Sequence, residues 1–336
     1  MNEEQRILNE YLEEIAHLEQ TLGEKHPDVA DAYADLADMY RDMGDIDQSL
    51  AYQHKAIAIQ EEVLGKNNNK LAASYNHIAL TYQTAGQLPK ALEYAMKDIA
   101  ISEQVLAPDE LELTFSYRAA SSIYRAMGQL PKALEYALKN LGVTQRALDI
   151  DDPSLATSYG NVSSLYATIG QWSEALVHEQ KALAIRQQAL NKDHPDLATS
   201  YNNIAQIYKA MVQLPEALAY QQKAIAIYEK IIKKNHRDLA VVYNNIALIY
   251  QEMGDYPKAL KYQQRIVAIT EQTLGKNHPD SIDPYADIAF MYYKTKKITQ
   301  AKDYIARAIA IMQRHFPDEH HDLAAMLQLQ ERINKM

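Results

Sequence analysis

The chain of 336 residues has no cysteine, one tryptophan and three phenylalanines. Without cysteine there can be no disulfide, no thiolate metal site and no cysteine nucleophile, which fits a reducing compartment such as the cytoplasm. No apolar run reaches the roughly 18 residues that would span a bilayer. The start, Met1-Asn2-Glu3-Glu4-Gln5-Arg6, has no basic segment leading into an apolar one, so neither insertion nor leader-directed export is expected. A glycine-rich phosphate loop, a His-Glu-x-x-His helix and a nucleophile elbow are all missing. Carboxylates abound, but none falls with a base and an orienting residue, so no cofactor and no catalysis are expected without a fused domain. A net charge of -10 disfavours a nucleic-acid backbone or an anionic membrane as partner.

What is present is a period of 42 residues. His26-Pro27-Asp28 returns as Asp152-Pro153-Ser154, His194-Pro195-Asp196, His236-Arg237-Asp238 and His278-Pro279-Asp280, with Asn68-Asn69-Lys70 and Glu110-Leu111-Glu112 in the two remaining slots. A unit this short cannot bury its apolar face alone, so units must stack and share a core. Seven are expected, at 26–67, 68–109, 110–151, 152–193, 194–235, 236–277 and 278–319, in one elongated array.

Residues 194–235 show how a unit is built. Pro195 suits a first helical position and Asp196 the positive end of the helix dipole. Leu197, Tyr201, Ile204, Ala205 and Tyr208 recur at steps of three and four, which marks one buried face of a first helix, helix A, ending near Met211. Pro215 opens helix B, with Leu218, Ile225, Ile227 and Ile232 as its stripe, ending before Lys234-Asn235. Helices of this length with short links pack as antiparallel pairs. The fold class predicted is all-α, an α-solenoid.

Most of the 24 tyrosines fall in three ladders, which begin at Tyr33, Tyr40 and Tyr52 and repeat with the units; His178 interrupts the third. Ala91, Ala133, Ala175, Ala217, Ala259 and Ala301 form a small-residue ladder that lets helix B approach helix A. Gly44, Gly86, Gly128, Gly170 and Gly254 close helix A in a left-handed conformation. Val212 and Lys296 hold that slot in two units, so those turns should be strained or differently shaped. Residues 1–25 align as a helix B without its helix A, and 320–336 as a lone helix A; both are expected to cap the array, unless the chain is cut from a longer protein.

The order Tyr-x-x-(Leu/Ile)-Ala-x-x-Tyr, then Gly, then Pro-x-Ala-Leu-x-Tyr resembles the tetratricopeptide repeat. The spacing and the segment His-Pro-Asp-Leu-Ala-x-Ser-Tyr-Asn-Asn-Ile-Ala at 194–205 look like the kinesin-light-chain type. The resemblance covers nearly the whole chain. It implies a right-handed superhelix whose concave surface, lined by helix A, holds peptide segments of other proteins: a non-catalytic scaffold or adaptor. The alternative is a regulatory or self-associating module of a larger signalling assembly, contacting folded surfaces.

In that geometry the positions just after the first ladder Tyr line the groove. They include Asn76, His77, Arg118, Asn161, Asn202, Asn203, Asn244 and Asn245, with Gln206, Arg125 and Lys209 further along the same face. An Asn carboxamide can donate to and accept from a peptide backbone at once; the competing reading is that these Asn bond neighbouring helices. Arg118, Arg125 and Lys209 would make the middle of the groove basic and suited to an acidic peptide or a carboxylate terminus, unless the two Arg pair with acids of adjacent units. Asp98 and Asn140 replace the Ala of other units and must be bonded to be tolerated. Asp98 either pairs with Arg118 or sits in a satisfied polar pair, and Gly160 opens a pocket beside it. His315, His320 and His321 are the one histidine group that could offer a weak zinc site.

Overall fold

A computed structural model describes residues 3–65, 67–232, 237–316 and 321–336. Among them every regular element is helical, and the chain divides into two compact units, Met1–Gly170 and Gln171–Met336. The first holds α1 (Glu3–Leu22), α2 (Pro27–Asp42), α3 (Ile46–Val63), α4 (Asn69–Thr84), α5 (Leu88–Val105), α6 (Leu113–Ala126), α7 (Leu130–Ala147) and α8 (Pro153–Ile169). The second holds α9 (Trp172–Ala189), α10 (Pro195–Ala210), α11 (Leu214–Ile231), α12 (Arg237–Glu252), α13 (Tyr256–Thr273), a 3-10 turn (Pro279–Ser281), α14 (Ile282–Lys294), α15 (Ile298–His315) and α16 (His321–Asn334). Within each unit consecutive helices pack on one another as an α-solenoid, with α2, α4, α6, α8, α10, α12 and α14 in the helix A role.

The recurring His/Asp-Pro slot is a helix start. His26, His194 and His278 each accept the backbone N–H two residues on through Nδ1, and Asp152 and Asn68 do so through their side-chain oxygens. One otherwise orphaned donor per helix is thereby satisfied. His236 lies outside the described residues, as do Lys234, Asn235 and His320. Where the slot reads Glu110-Leu111-Glu112 no side-chain cap forms, and α6 starts late, at Leu113.

Packing follows the ladders. Leu36, Ile78, Ala120 and Val162 in the first unit, and Ile204, Ile246 and Ile288 in the second, occupy equivalent positions and are wholly buried. Each Leu or Ile contributes about 1.5–3 kcal/mol by leaving water. Opposite them every member of the alanine ladder, from Ala91 to Ala301, is also wholly buried. The tyrosines meet in trios: Tyr40 stacks on Tyr52 with centroids 5.5 Å apart, Tyr82 on Tyr94 at 5.6 Å and Tyr124 on Tyr136 at 5.6 Å. The first-ladder Tyr of each trio tilts against the same helix B ring, as Tyr33 does on Tyr52 and Tyr243 on Tyr262. A cation lies over these rings in unit after unit: Lys55, Lys97, Lys139, Lys223, Arg265 and Arg307. The first-ladder hydroxyl also reaches the preceding helix B. Tyr117 donates to Glu103 at 2.9 Å and Tyr243 to Glu229 at 2.8 Å; where Gln replaces Glu, Gln145 donates to Tyr159 at 2.8 Å and Gln187 to Tyr201 at 2.9 Å.

The two turns without glycine keep the shape of the others. Val212 has φ 60° and Lys296 φ 59°, against 72° at Gly86 and Gly128. They are strained, not reshaped, because a Cβ in the left-handed region crowds the backbone and a β-branched residue suffers most. Val212 is 77% exposed and contributes little burial in return. Val212→Gly is therefore expected to raise stability by about 1 kcal/mol. A urea midpoint unchanged or lowered in the variant would count against the strain.

Candidate functional site

Asn76, Asn202, Asn203, Asn244 and Asn245, expected to face a ligand, make side-chain bonds within the chain. Behind the third tyrosine ladder helix B carries Gln53, Glu179, Gln221 and Gln263 at one recurring position, all buried. Gln221 donates to Asn202 Oδ1 at 3.2 Å, and Asn245 donates to the same oxygen at 2.9 Å. Gln263 donates to Asn244 Oδ1 at 3.2 Å, and Asn203 donates to the buried Glu179 carboxylate at 3.4 Å. Glu179 also lies 3.7 Å from Arg186. Gln206 is half-buried, its Nε2 enclosed and without a hydrogen-bond partner. The sequence carried a signal for this layer, a polar residue directly after the third-ladder position where other units have Ala95, Ala137 or Ile305.

Asn76 is buried and donates to Asp98 Oδ2 at 2.7 Å. Asp98 does not pair with Arg118. Its other oxygen accepts from Ser102 and Ser116, each at 2.9 Å, so the carboxylate is satisfied inside the first unit. Burial still pushes its pKa up, opposed by the three hydrogen bonds. His77 is exposed, 3.8 Å from Asp38. Lys209 is spoken for by Glu252, at 3.3 Å, which removes it from a free basic patch.

Arg118, Arg125 and Asn161 come together. They line a cavity of about 230 Å3 with Ser121, Ser122, Ala137, Asn140 and Leu165, drawn from α6, α7 and α8, and no carboxylate is in its wall. The alternative, a pairing of these arginines with acids of neighbouring units, is not made among the described residues. Instead the Arg118 guanidinium lies over the exposed Phe115 ring, 5.1 Å from its centroid, a contact that orients the cation without neutralising it. Asn140 is held by its neighbours: it donates to the Thr114 carbonyl at 2.9 Å and accepts from Ser158 at 3.1 Å. Ser122 accepts from Gln83 at 2.8 Å. The wall is thus a fixed polar surface carrying two uncompensated planar cations, and Arg offers paired donors to a carboxylate.

A second cavity, of about 630 Å3, lies in the other unit among α12, α13 and α14. Asn244 is on its wall, together with Val241, Leu248, Leu274, Asp283 and Asp287. Asp287 accepts from Gln263 at 2.9 Å. Burial, and next the charge of Asp283, raise its pKa to about 6. Asp287 stands two residues after Tyr285, the register of Asn203 after Tyr201 and of Asn245 after Tyr243.

Among the described residues no group of three His, Asp or Glu could hold a metal ion, and no helix is long and apolar enough to cross a membrane. His315 Nε2 sits 3.0 Å from the Asn277 carbonyl.

The family profile described as "Tetratricopeptide repeat" matches residues 28–104, 112–188, 180–230 and 238–314. No curated protein matches the sequence. Among solved structures, a Podosopora anserina protein of nearly identical TPR-like repeats, named after kinesin light chain, is 25% identical with a TM-score of 0.56, covering 62% of this chain and 98% of its own. BtubC (BKLC) from P. vanneervenii is 21% identical with a TM-score of 0.59, covering 69% of this chain and 93% of its own. A signal transduction ATPase with numerous domains and a tetratricopeptide repeat sensor, from Pyrococcus horikoshii, is 18% identical with a TM-score of 0.69; the match covers 91% of this chain and 44% of that one.

Proposed function

The chain belongs to the tetratricopeptide-repeat family, a scaffold for protein interaction, and we propose that it is a non-catalytic adaptor whose helix A layer holds a peptide segment of a partner. The segment is acidic, or ends in its carboxylate, where it meets Arg118, Arg125 and Asn161. The observation that carries this reading is the cavity between α6 and α8, where two arginines face no carboxylate. In a protein of net charge -10 a basic recess of this kind is a local exception, and it favours an anionic guest over the bulk of the surface. The Asn202, Asn203, Asn244 and Asn245 network contributes rigidity first. Each of those amides has a bond within the chain, and a peptide backbone would engage their remaining donors and acceptors.

Selection of a random-peptide library on the purified chain tests the proposal. A shared motif with Asp, Glu or a free C-terminus is expected, to be lost in Arg118→Glu and weakened in Asn161→Ala. A motif that survives Arg118→Glu would remove the acidic assignment. No motif from a chain shown to be folded would remove the peptide adaptor itself and favour contacts between folded surfaces.

A further inference from the structure

We infer that the cavity formed by α12, α13 and α14 receives a lysine or arginine side chain. For a side chain borne on a peptide this rests on the adaptor reading; the cation preference of the cavity does not. Two features of the wall choose the guest. One side is apolar and open: Val241 is 60% exposed and Leu274 39%, with Leu248 beside them. Exposed aliphatic groups at a recess suit a hydrocarbon stem. The other side has acceptors and no cation. Among the described residues no lysine or arginine pairs with Asp283 or Asp287, and none lines the cavity.

The acceptor surplus extends behind the wall. Gln263, wholly buried, has given its amide N–H groups to Asn244 Oδ1 and Asp287 Oδ2, and its own Oε1 is enclosed without a partner. A carboxylate kept from water with one neutral donor is under-solvated, which agrees with the raised pKa of Asp287. A guest that brings hydrogen-bond donors and positive charge corrects the deficit at Asp287, which lines the cavity.

A divalent ion does not fit this need. The three aspartates, Asp280, Asp283 and Asp287, are not disposed as a group that could ring a metal, and Asp280 already lies 3.6 Å from His278. A purely apolar guest would strip water from two unpaired carboxylates at a net cost. Lysine and arginine alone among side chains combine a long aliphatic stem with a charged donor head.

Methyl NMR of the intact chain is the test, with Nα-acetyl-lysine methylamide and Nα-acetyl-arginine methylamide as probes and Nα-acetyl-norleucine methylamide as the uncharged control. Saturable shifts of the Val241, Leu248 and Leu274 methyl groups are expected with the cations. In the Asp283→Asn/Asp287→Asn double variant the apparent affinity should fall at least about ten-fold. An equal response to norleucine, an unchanged affinity in the double variant, or silence of those methyl groups overturns the inference. Because the probes are single residues, the outcome stands apart from peptide selection: a selected motif with silent methyl groups removes this inference alone, and a cation response without any motif removes the adaptor alone.

Discussion

Asp287→Asn is expected to stabilise the second unit by about 2 kcal/mol at pH 8 and by less than about 0.5 kcal/mol at pH 4. In the folded chain the carboxyl has a pKa of about 6, against a reference of 3.8, because burial and then the Asp283 charge disfavour its ionised form. Above pH 6 the folded state carries an ion that the unfolded chain solvates better, a penalty of about 3 kcal/mol if water were fully excluded. The half-buried side chain is partly screened, hence the lower figure. As pH falls from 6 toward 4 the folded state takes up a proton that the unfolded chain does not, and most of the penalty is lost, the rest going below the reference value of 3.8. Asn keeps an acceptor for Gln263 and never carries the charge. Urea unfolding of both proteins at pH 8, 6 and 4 measures this, and an advantage of equal size at all three values would contradict the assignment. A residue that weakens its own fold at neutral pH is what a binding carboxylate waiting for a counter-charge looks like.

Ala217→Leu should cost roughly 3 kcal/mol or more. Ala217 sits on α11 with no exposed surface, at the place where that helix meets α10. Packing this close leaves no volume for three further carbons, and either the helices separate or the side chain takes a strained rotamer. Ala219, two residues on and exposed on the same helix, supplies the control: Ala219→Leu should change stability by no more than about 0.5 kcal/mol. Thermal unfolding of the two variants separates packing from helix propensity, since the substitution is chemically identical. Similar losses in both would mean that the alanine ladder does not set the interhelical distance.

The architecture was legible because the repeat supplies its own comparison. A position that is Ala or Tyr in unit after unit announces its environment before any coordinate is known, and the buried alanines and stacked tyrosines follow those positions. The slot of His26, His194 and His278 was equally visible as a helix start, although its capping role through Nδ1 needed the structure. The site was less legible. Whether Asn202 faces a ligand or a neighbour depends on Gln221 and Asn245, which approach it from two other helices. The same holds for Asp98, whose acceptors are met by Asn76 and two serines, not by Arg118. Arg118 and Arg125 could be placed on one helix face from their spacing, but only the structure shows that the wall of their cavity holds no carboxylate. Val212 broke a visible rule, and its positive φ shows that the turn geometry overrides the residue.

The tyrosine hydroxyl that reaches back to the preceding helix B is a standard joint. Tyr75 donates to Glu61 just as Tyr117 does to Glu103, always across the same interval of fourteen residues. Excision of residues 26–67 would bring Glu19 to Tyr75 in place of its present partner Tyr33, with the same chemistry on both sides of the splice. Molecules of this design can therefore gain or shed whole segments without new joinery. Each recess takes its wall from two neighbouring helix pairs, α6 and α7 with α8 in one case and α12 and α13 with α14 in the other, so a recess is made or lost at the splice and its charges become a matter of which segments stand side by side.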